Sequence, residues 1–298
     1  MGPHTDARGG PWCHAGALLL LLALTAGTAQ AGQTVRFAPL PMEDEQIVHE
    51  QFHGLASYLE EATGLTLRWS YHSDNLEIVE RFKAGQIDLA YLGPLPHVVL
   101  AREYAAAESL GCFRDEDGEA SYTCSLLAAG DSDLTLERLR GVRIGLTQPY
   151  STCGYLAVAQ MLKGAGIALE GDGNTYLYAG SHSNAALGLA RREFDVVGVK
   201  TSIGKRYLHL DLKVIATGDP YPGFALVANT ATLDATTLAA LRKAVLGLHP
   251  GDSPALAERM RGWPEHIRNG VVPPAQCDYR GVAAALRSLP WPIPGSRQ

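Results

Sequence analysis

The chain has 298 residues, 46% of them hydrophobic and 19% charged, with a formal net charge of −6 at pH 7. That length and balance suit one large globular domain or two of ordinary size, and an acidic chain without a basic stripe is excluded as a nucleic-acid binder. An anionic small ligand is not excluded, because bare backbone N–H groups bind anions whatever the net charge.

Residues 1–31 read as a secretory signal peptide. Arg8 supplies the positive start, "AGALLLLLAL" (Ala15 to Leu24) the apolar core, and Ala29-Gln30-Ala31 the small-residue cleavage site. The apolar run is too short to remain as a membrane span, and no second one follows. The expectation is a soluble protein exported to the periplasm and starting near Gly32. Cys13 precedes the apolar core, so no lipid anchor is expected there.

Beyond the leader, strands and helices alternate. "TVRFAPL" reads as a strand, followed by a helix from about Glu45 with Leu55, Tyr58, Leu59 and Ala62 at helical spacing and Gly64 at its end. "LTLRWSY" alternates as a strand, and Ser73 or Asp74 caps the next helix. "IDLAYLG" is a buried parallel-type strand, and "PLPHVVLAREY" starts a helix with Pro96 in its first turn. "SLLAAG", "VRIGLT", "TYLYAG" and "DVVGVK" read as strands, with helices in "LTLERLRG", "CGYLAVAQMLKGAG" and "SHSNAALGLARREF" between them. "YPGFALVAN" is a further strand, and the tail from Asp234 is mostly helical, ending in "RGVAAALRSL". This alternation predicts an α/β protein with a parallel or mixed sheet and helices on both faces.

Cleavage leaves Cys112, Cys124, Cys153 and Cys277 in an oxidising compartment. Cys112 and Cys124 flank the polar stretch "FRDEDGEASYT", and a disulfide closing that short loop would contribute about 3 kcal/mol. Spacing does not fix the connectivity. No zinc-ribbon spacing is present, and no metal or cofactor is expected.

Three strand-to-helix junctions share a chemical character: "YLGPLPH", "PYSTCGY" and "YAGSHSNAA". In open α/β sheets ligands gather at such junctions, where helix N-termini present unpaired N–H donors and about half a positive charge. Ser151, Thr152, Ser181 and Ser183 add hydroxyls and His182 an imidazole, a set suited to a small oxyanion. Each residue taken alone equally serves as a helix cap.

The order of these blocks, from "RFAPLPMEDEQ" through "AGQIDLAYLGPLPHVVLA", "RIGLTQPYSTCGYLAVAQMLKGAGI" and "AGSHSNAALGLARREFDVVGV", resembles the periplasmic substrate-binding proteins of phosphonate, phosphite and phosphate ABC transporters, the PhnD-like family. The resemblance runs to about residue 250. It implies a type II periplasmic binding protein, with two lobes of mixed β-sheet flanked by helices and a ligand cleft between them. Residues 32–129 and 222–298 would form the first lobe and residues 130–221 the second. By the resemblance, Ser151, Thr152 and the amide of Cys153 would hold the anion, and His182 would donate from the facing helix. Tyr91 would close the first-lobe side beside "LPMED", and a membrane permease would be the partner.

Two positions depart from the family. Lys200 stands in "DVVGVKTS", near where family members that bind aminoalkyl phosphonates place a carboxylate; a lysine there repels a cation, unless it points to solvent. Cys153 occupies a place commonly held by a small hydroxyl residue. A thiol at a helix N-terminus gains thiolate character and is a soft ligand. The alternative is therefore an arsenite sensor that uses Cys112, Cys124 or Cys153 and partners a membrane histidine kinase. No nucleophile elbow or zinc-protease motif points to an enzyme, which leaves a Cys153–His182 nucleophile pair as the one enzymatic option.

Overall fold

The alternating faces of "TVRFA" set the first strand: Val35 and Phe37 are buried, and β1 (Thr34–Ala38) pairs in parallel with β2 (Thr66–Trp69) and β3 (Leu89–Leu92). The computed structural model describes residues 33–289 and Ile293, so the expected signal peptide, residues 1–31, lies outside the described residues. Between β1 and β2 runs α1 (Glu45–Thr63), whose stripe of Val48, Phe52, Leu55, Ala56 and Leu59 faces the core. Gly64 ends it at φ 72°, a left-handed C-cap that glycine adopts without strain. Asp74 caps α2 (Asn75–Lys83) by accepting from the amides of Leu76 and Glu77. All four residues of β3 are buried, as its apolar run demands, and Pro94 starts α3 (Pro94–Glu103).

The chain continues through β4 (Ala107–Phe113), β5 (Ser121–Tyr122), β6 (Cys124–Ala129) and β7 (Arg143–Leu146). A π-helical turn at Thr152–Leu156 leads into α4 (Ala157–Gly164). Then come β8 (Thr175–Tyr178), α5 (His182–Ala190), β9 (Val196–Lys200), α6 (Thr201–Lys205), β10 (Leu212–Thr217), β11 (Tyr221–Pro222) and β12 (Ala225–Asn229). The return half adds α7 (Ala235–Leu246), α8 (Pro254–Arg261), β13 (Val271–Val272) and α9 (Arg280–Leu286). The expected helix in "LTLERLRG" is a single 3-10 turn, Leu136–Arg138.

Two mixed sheets result. The first has the order β13-β4-β12-β3-β1-β2 and the second β10-β6-β9-β7-β8, with β11 and β5 paired as a ribbon where the chain passes between them. The boundary therefore differs from the expected one after residue 129. Residues Cys124–Ala129 pair antiparallel with both β9 and β10 and so belong to the second lobe. Both faces of β6 are buried, which is what a central strand covered on two sides requires.

The cysteines also pair differently from the possible Cys112–Cys124 bridge. Cys112 of β4 is bonded to Cys277, and Cys124 of β6 to Cys153, with Cα–Cα separations of 6.4 and 5.1 Å. Sequence proximity misleads because Cys112 and Cys124 lie in different sheets, on either side of the crossover. Neither bridge joins the lobes. With Cys112, Cys124 and Cys153 oxidised, no thiolate remains among them to take arsenite or attack a substrate. That removes both the arsenite ligand set and the Cys153–His182 nucleophile pair.

Candidate anion-binding cleft

Two helix mouths of the second lobe meet the first lobe around one small cavity. At the first mouth, Gln148 and Tyr150 follow β7, and Tyr150 takes φ 59°, a left-handed conformation rare for a bulky residue. Ser151 then caps the π-turn by accepting from the Gly154 amide at 3.0 Å. Its carbonyl takes the Tyr155 and Leu156 amides at 3.1 and 3.2 Å. The amides of Thr152 and Cys153 have no acceptor among the described residues. The Ser151 hydroxyl has spent a lone pair on the cap and keeps its proton to donate. At the second mouth, Ser181 caps α5 by accepting from Asn184, leaving the His182 and Ser183 amides without a backbone acceptor. A capping hydroxyl thus keeps a proton for a guest, because it is both acceptor and donor.

Glycine makes the first turn fit. A Cβ on Gly154 would lie 2.6 Å from the backbone nitrogen of Thr147, and one on Gly198 of β9 would lie 2.9 Å from the Cys153 carbonyl oxygen. Gly154→Ala is expected to cost about 1–3 kcal/mol, the usual range for overpacking. Thermal unfolding should show it as a fall of roughly 2–10 °C. An unchanged midpoint would mean that the turn does not press on β7.

The cavity has a volume of about 30 Å³, a few water-sized spheres and so room for a guest of only a few heavy atoms. Leu40, Pro41, Met42, Asn75, Gly93 and Phe224 form its first-lobe wall. Ser151, Thr152, Cys153, Ser181, His182 and Lys200 line the other side, and no carboxylate lines it.

His182 is 8% exposed, and burial together with the nearby Lys200 charge lowers its pKa to about 3. Its Nδ1 accepts the Lys200 amide N–H at 3.2 Å. A neutral imidazole accepting at Nδ1 carries its proton on Nε2, which makes that nitrogen a donor. Lys200 is 2% exposed rather than solvated; its Nζ lies 2.9 Å and 2.7 Å from the two carboxylate oxygens of Asp115, and 5.5 Å from the Tyr122 ring centroid.

Tyr91 stands behind the cleft instead of closing it. It is fully buried, its hydroxyl donates to the His266 carbonyl at 2.8 Å, and its ring stacks on Phe224, which occupies the lining position. A buried phenol needs a hydrogen-bond partner, and the His266 carbonyl, which does not line the cavity, supplies it. The third junction also differs. Pro94 and Pro96 have no N–H, and the Leu95 amide donates to Thr152 Oγ1 at 3.0 Å. The Thr152 side chain therefore ties the lobes together, leaving its amide for a guest.

Gln148 was not singled out from sequence. It is 6% exposed; its Nε2 faces the carbonyls of Pro41, Ser73 and Gly180 at 3.0, 3.0 and 2.7 Å, and its Oε1 accepts the Asn75 amide at 3.3 Å. Asn75 and Thr147 also line the cavity, and Asn75 Oδ1 and Thr147 Oγ1 are buried without a hydrogen-bond partner among the described residues. A loop glutamine carries no pattern in sequence; only the apposition of the lobes gives it a role. Ser183 donates to Glu43 Oε1 at 2.5 Å, a further contact between the lobes. Among the described residues no group of three His, Cys, Asp or Glu could hold a metal ion.

Fold and cleft together have the form of a two-lobed solute-binding protein. Residues 37–279 match the family model described as "ABC transporter, phosphonate, periplasmic substrate-binding protein", and the chain belongs to that family. It is 28% identical over 276 residues to the phosphate-import protein PhnD of Mycolicibacterium smegmatis, covering 84% of each chain. PhnD1 of Prochlorococcus marinus, solved in complex with methylphosphonate, superposes with a TM-score of 0.74 at 14% identity, over 86% of this chain and 98% of that one. A binding-protein component of an ABC phosphonate transporter from Pseudomonas aeruginosa gives 0.66 at 20% identity, over 78% and 80%. The chain is thus the substrate-binding component of an ABC transporter, of the type II periplasmic fold. No helix of the described residues is long and apolar enough to cross a membrane.

Proposed function

We propose that the cleft captures one small phosphorus oxyanion (phosphonate, phosphite or phosphate) and presents it to the permease of its transporter, after export directed by residues 1–31. The observation that carries this reading is the pair of helix mouths, whose uncommitted amides at Thr152, Cys153 and His182 belong to residues that line one cavity without a carboxylate. The Ser151 and Ser181 hydroxyls and the neutral His182 Nε2–H supply further donors, each charge-assisted once an anion is bound, and Lys200 lines the same side with its charge balanced by Asp115.

No carboxylate lines the cavity, and Asp115, beside the lining Lys200, is already engaged by it. An aminoalkyl phosphonate would bury its ammonium without a partner, so the guest is an unsubstituted or alkyl oxyanion. The sensor alternative gains no support, since its thiols are bridged.

Titration calorimetry with phosphite, phosphate, methylphosphonate and 2-aminoethylphosphonate tests the proposal. Binding of at least one of the first three in preference to the last is expected. His182→Phe should weaken that binding by about 10- to 100-fold, the worth of a hydrogen bond to a charged group. A wild-type protein that binds none of the first three overturns the reading. Amino-terminal sequencing of the exported protein should begin near Gly32.

A further inference from the structure

Cys153 contributes one of the uncommitted amides at the first helix mouth, while its sulfur is bonded to Cys124, 29 residues earlier in the chain. Cys124 opens β6 two residues after Tyr122, which lines the cavity. In the sheet Cys124 lies in register with Lys200, whose own N–H fixes the His182 ring. One covalent tie therefore joins the anion-facing turn to the β6–β9 pair, whose Lys200 amide orients the His182 ring.

That turn is strained in two ways. Tyr150 before it has φ 59°, and Thr152–Leu156 is a π-turn. Such local strain persists only where its surroundings over-determine it. Neither Cys112 nor Cys277 of the second bridge lines the cavity, and that bridge staples β4 to the return segment of the first lobe.

We propose that the Cys124–Cys153 disulfide is a positioning element for the ligand: it holds the Thr152 and Cys153 amides on the anion, whereas the Cys112–Cys277 disulfide stabilises the fold alone. The proposal rests on the oxyanion reading of the cleft.

The test compares oxyanion affinity and urea stability of three proteins: wild type, C124A/C153A and C112A/C277A. Both variants should lose stability. Only C124A/C153A should lose affinity, by about tenfold for whichever of phosphite, phosphate or methylphosphonate the wild type binds, equivalent to ~1.4 kcal/mol. A merely structural bridge would leave the folded fraction of C124A/C153A binding as the wild type does. Affinity within twofold of wild type, or an equal loss in both variants, overturns the proposal.

Should C124A/C153A fail to fold, the remaining bridge of folded C112A/C277A is opened with dithiothreitol. The reagent delivers two electrons and two protons to the cystine and closes to its own cyclic disulfide. The same tenfold loss is then expected, restored on reoxidation, and an unchanged affinity overturns the proposal. A wild type that binds no oxyanion is a different result, and one that removes the functional reading itself.

Discussion

Asp115→Ala is expected to destabilise the protein by about 3–5 kcal/mol, the cost of leaving a buried charge unpaired. Lys200 and Asp115 side chains are 3% and 4% exposed, and both carboxylate oxygens lie against the same ammonium. Asp115 sits on the loop after β4 and Lys200 at the end of β9, so the pair spans the crossover between the sheets. Removing the carboxylate leaves the ammonium against the Tyr122 and Phe224 rings, 5.5 and 5.6 Å away. Those faces attract a cation but return only part of the loss. Thermal unfolding should fall by roughly 10 °C. D115A/K200M should recover most of that, because a buried ion pair replaced by apolar groups is often neutral. Asp115→Ala also frees a positive charge beside the cavity, so a saturating oxyanion should stabilise this variant more than it stabilises the wild type. A midpoint within 1–2 °C of wild type would show that Lys200 finds water instead.

Acidification from pH 7 to pH 5 is expected to remove about 6 kcal/mol of stability through His97, His182 and His266. Burial lowers His97 to about 4; burial, with Lys200 close by, lowers His182 to about 3 and His266 well below its ordinary value. An unfolded histidine titrates near 6.5, so between 6.5 and about 3 the unfolded chain binds protons that the native protein refuses. Stability therefore rises with pH in that window and is fully present above it. Each group gives about 1.4 kcal/mol per pH unit, or about 2 kcal/mol at pH 5. The carboxylates held low by arginine partners, such as Asp88 beside Arg36, are lowered from an already acidic value and act at lower pH. Differential scanning calorimetry should find the midpoint lower by roughly 15 °C at pH 5. His182→Asn should remove about a third of the slope, and a flat profile would mean that these rings are protonated in the native state.

Much of the architecture was legible because burial leaves a periodic mark. The α1 stripe, the fully apolar β3 and the Gly64 stop follow from side-chain spacing alone. The sheet assignment of Cys124–Ala129 was not legible: an apolar run states that both faces are covered, never by which neighbours. Cysteine pairing failed for the same reason, since Cys124 and Cys153 are adjacent only through the register of the second sheet. At the site, hydroxyls beside helix starts were readable as a donor cluster. The protonated nitrogen of His182 was not, because it depends on an amide from another strand. Tyr91 was misplaced because strand alternation gives two faces without saying which one meets the cavity.

Gln148 carries a consequence for the timing of transport. One side-chain amide grips Pro41, Ser73 and Asn75 of the first lobe and Gly180 of the second, so parting the lobes breaks several shielded contacts in a single event. Escape of a bound anion would then wait on that rupture as well as on the hold of the anion itself. A docked membrane partner that prised this one residue loose would speed unloading without ever touching the passenger.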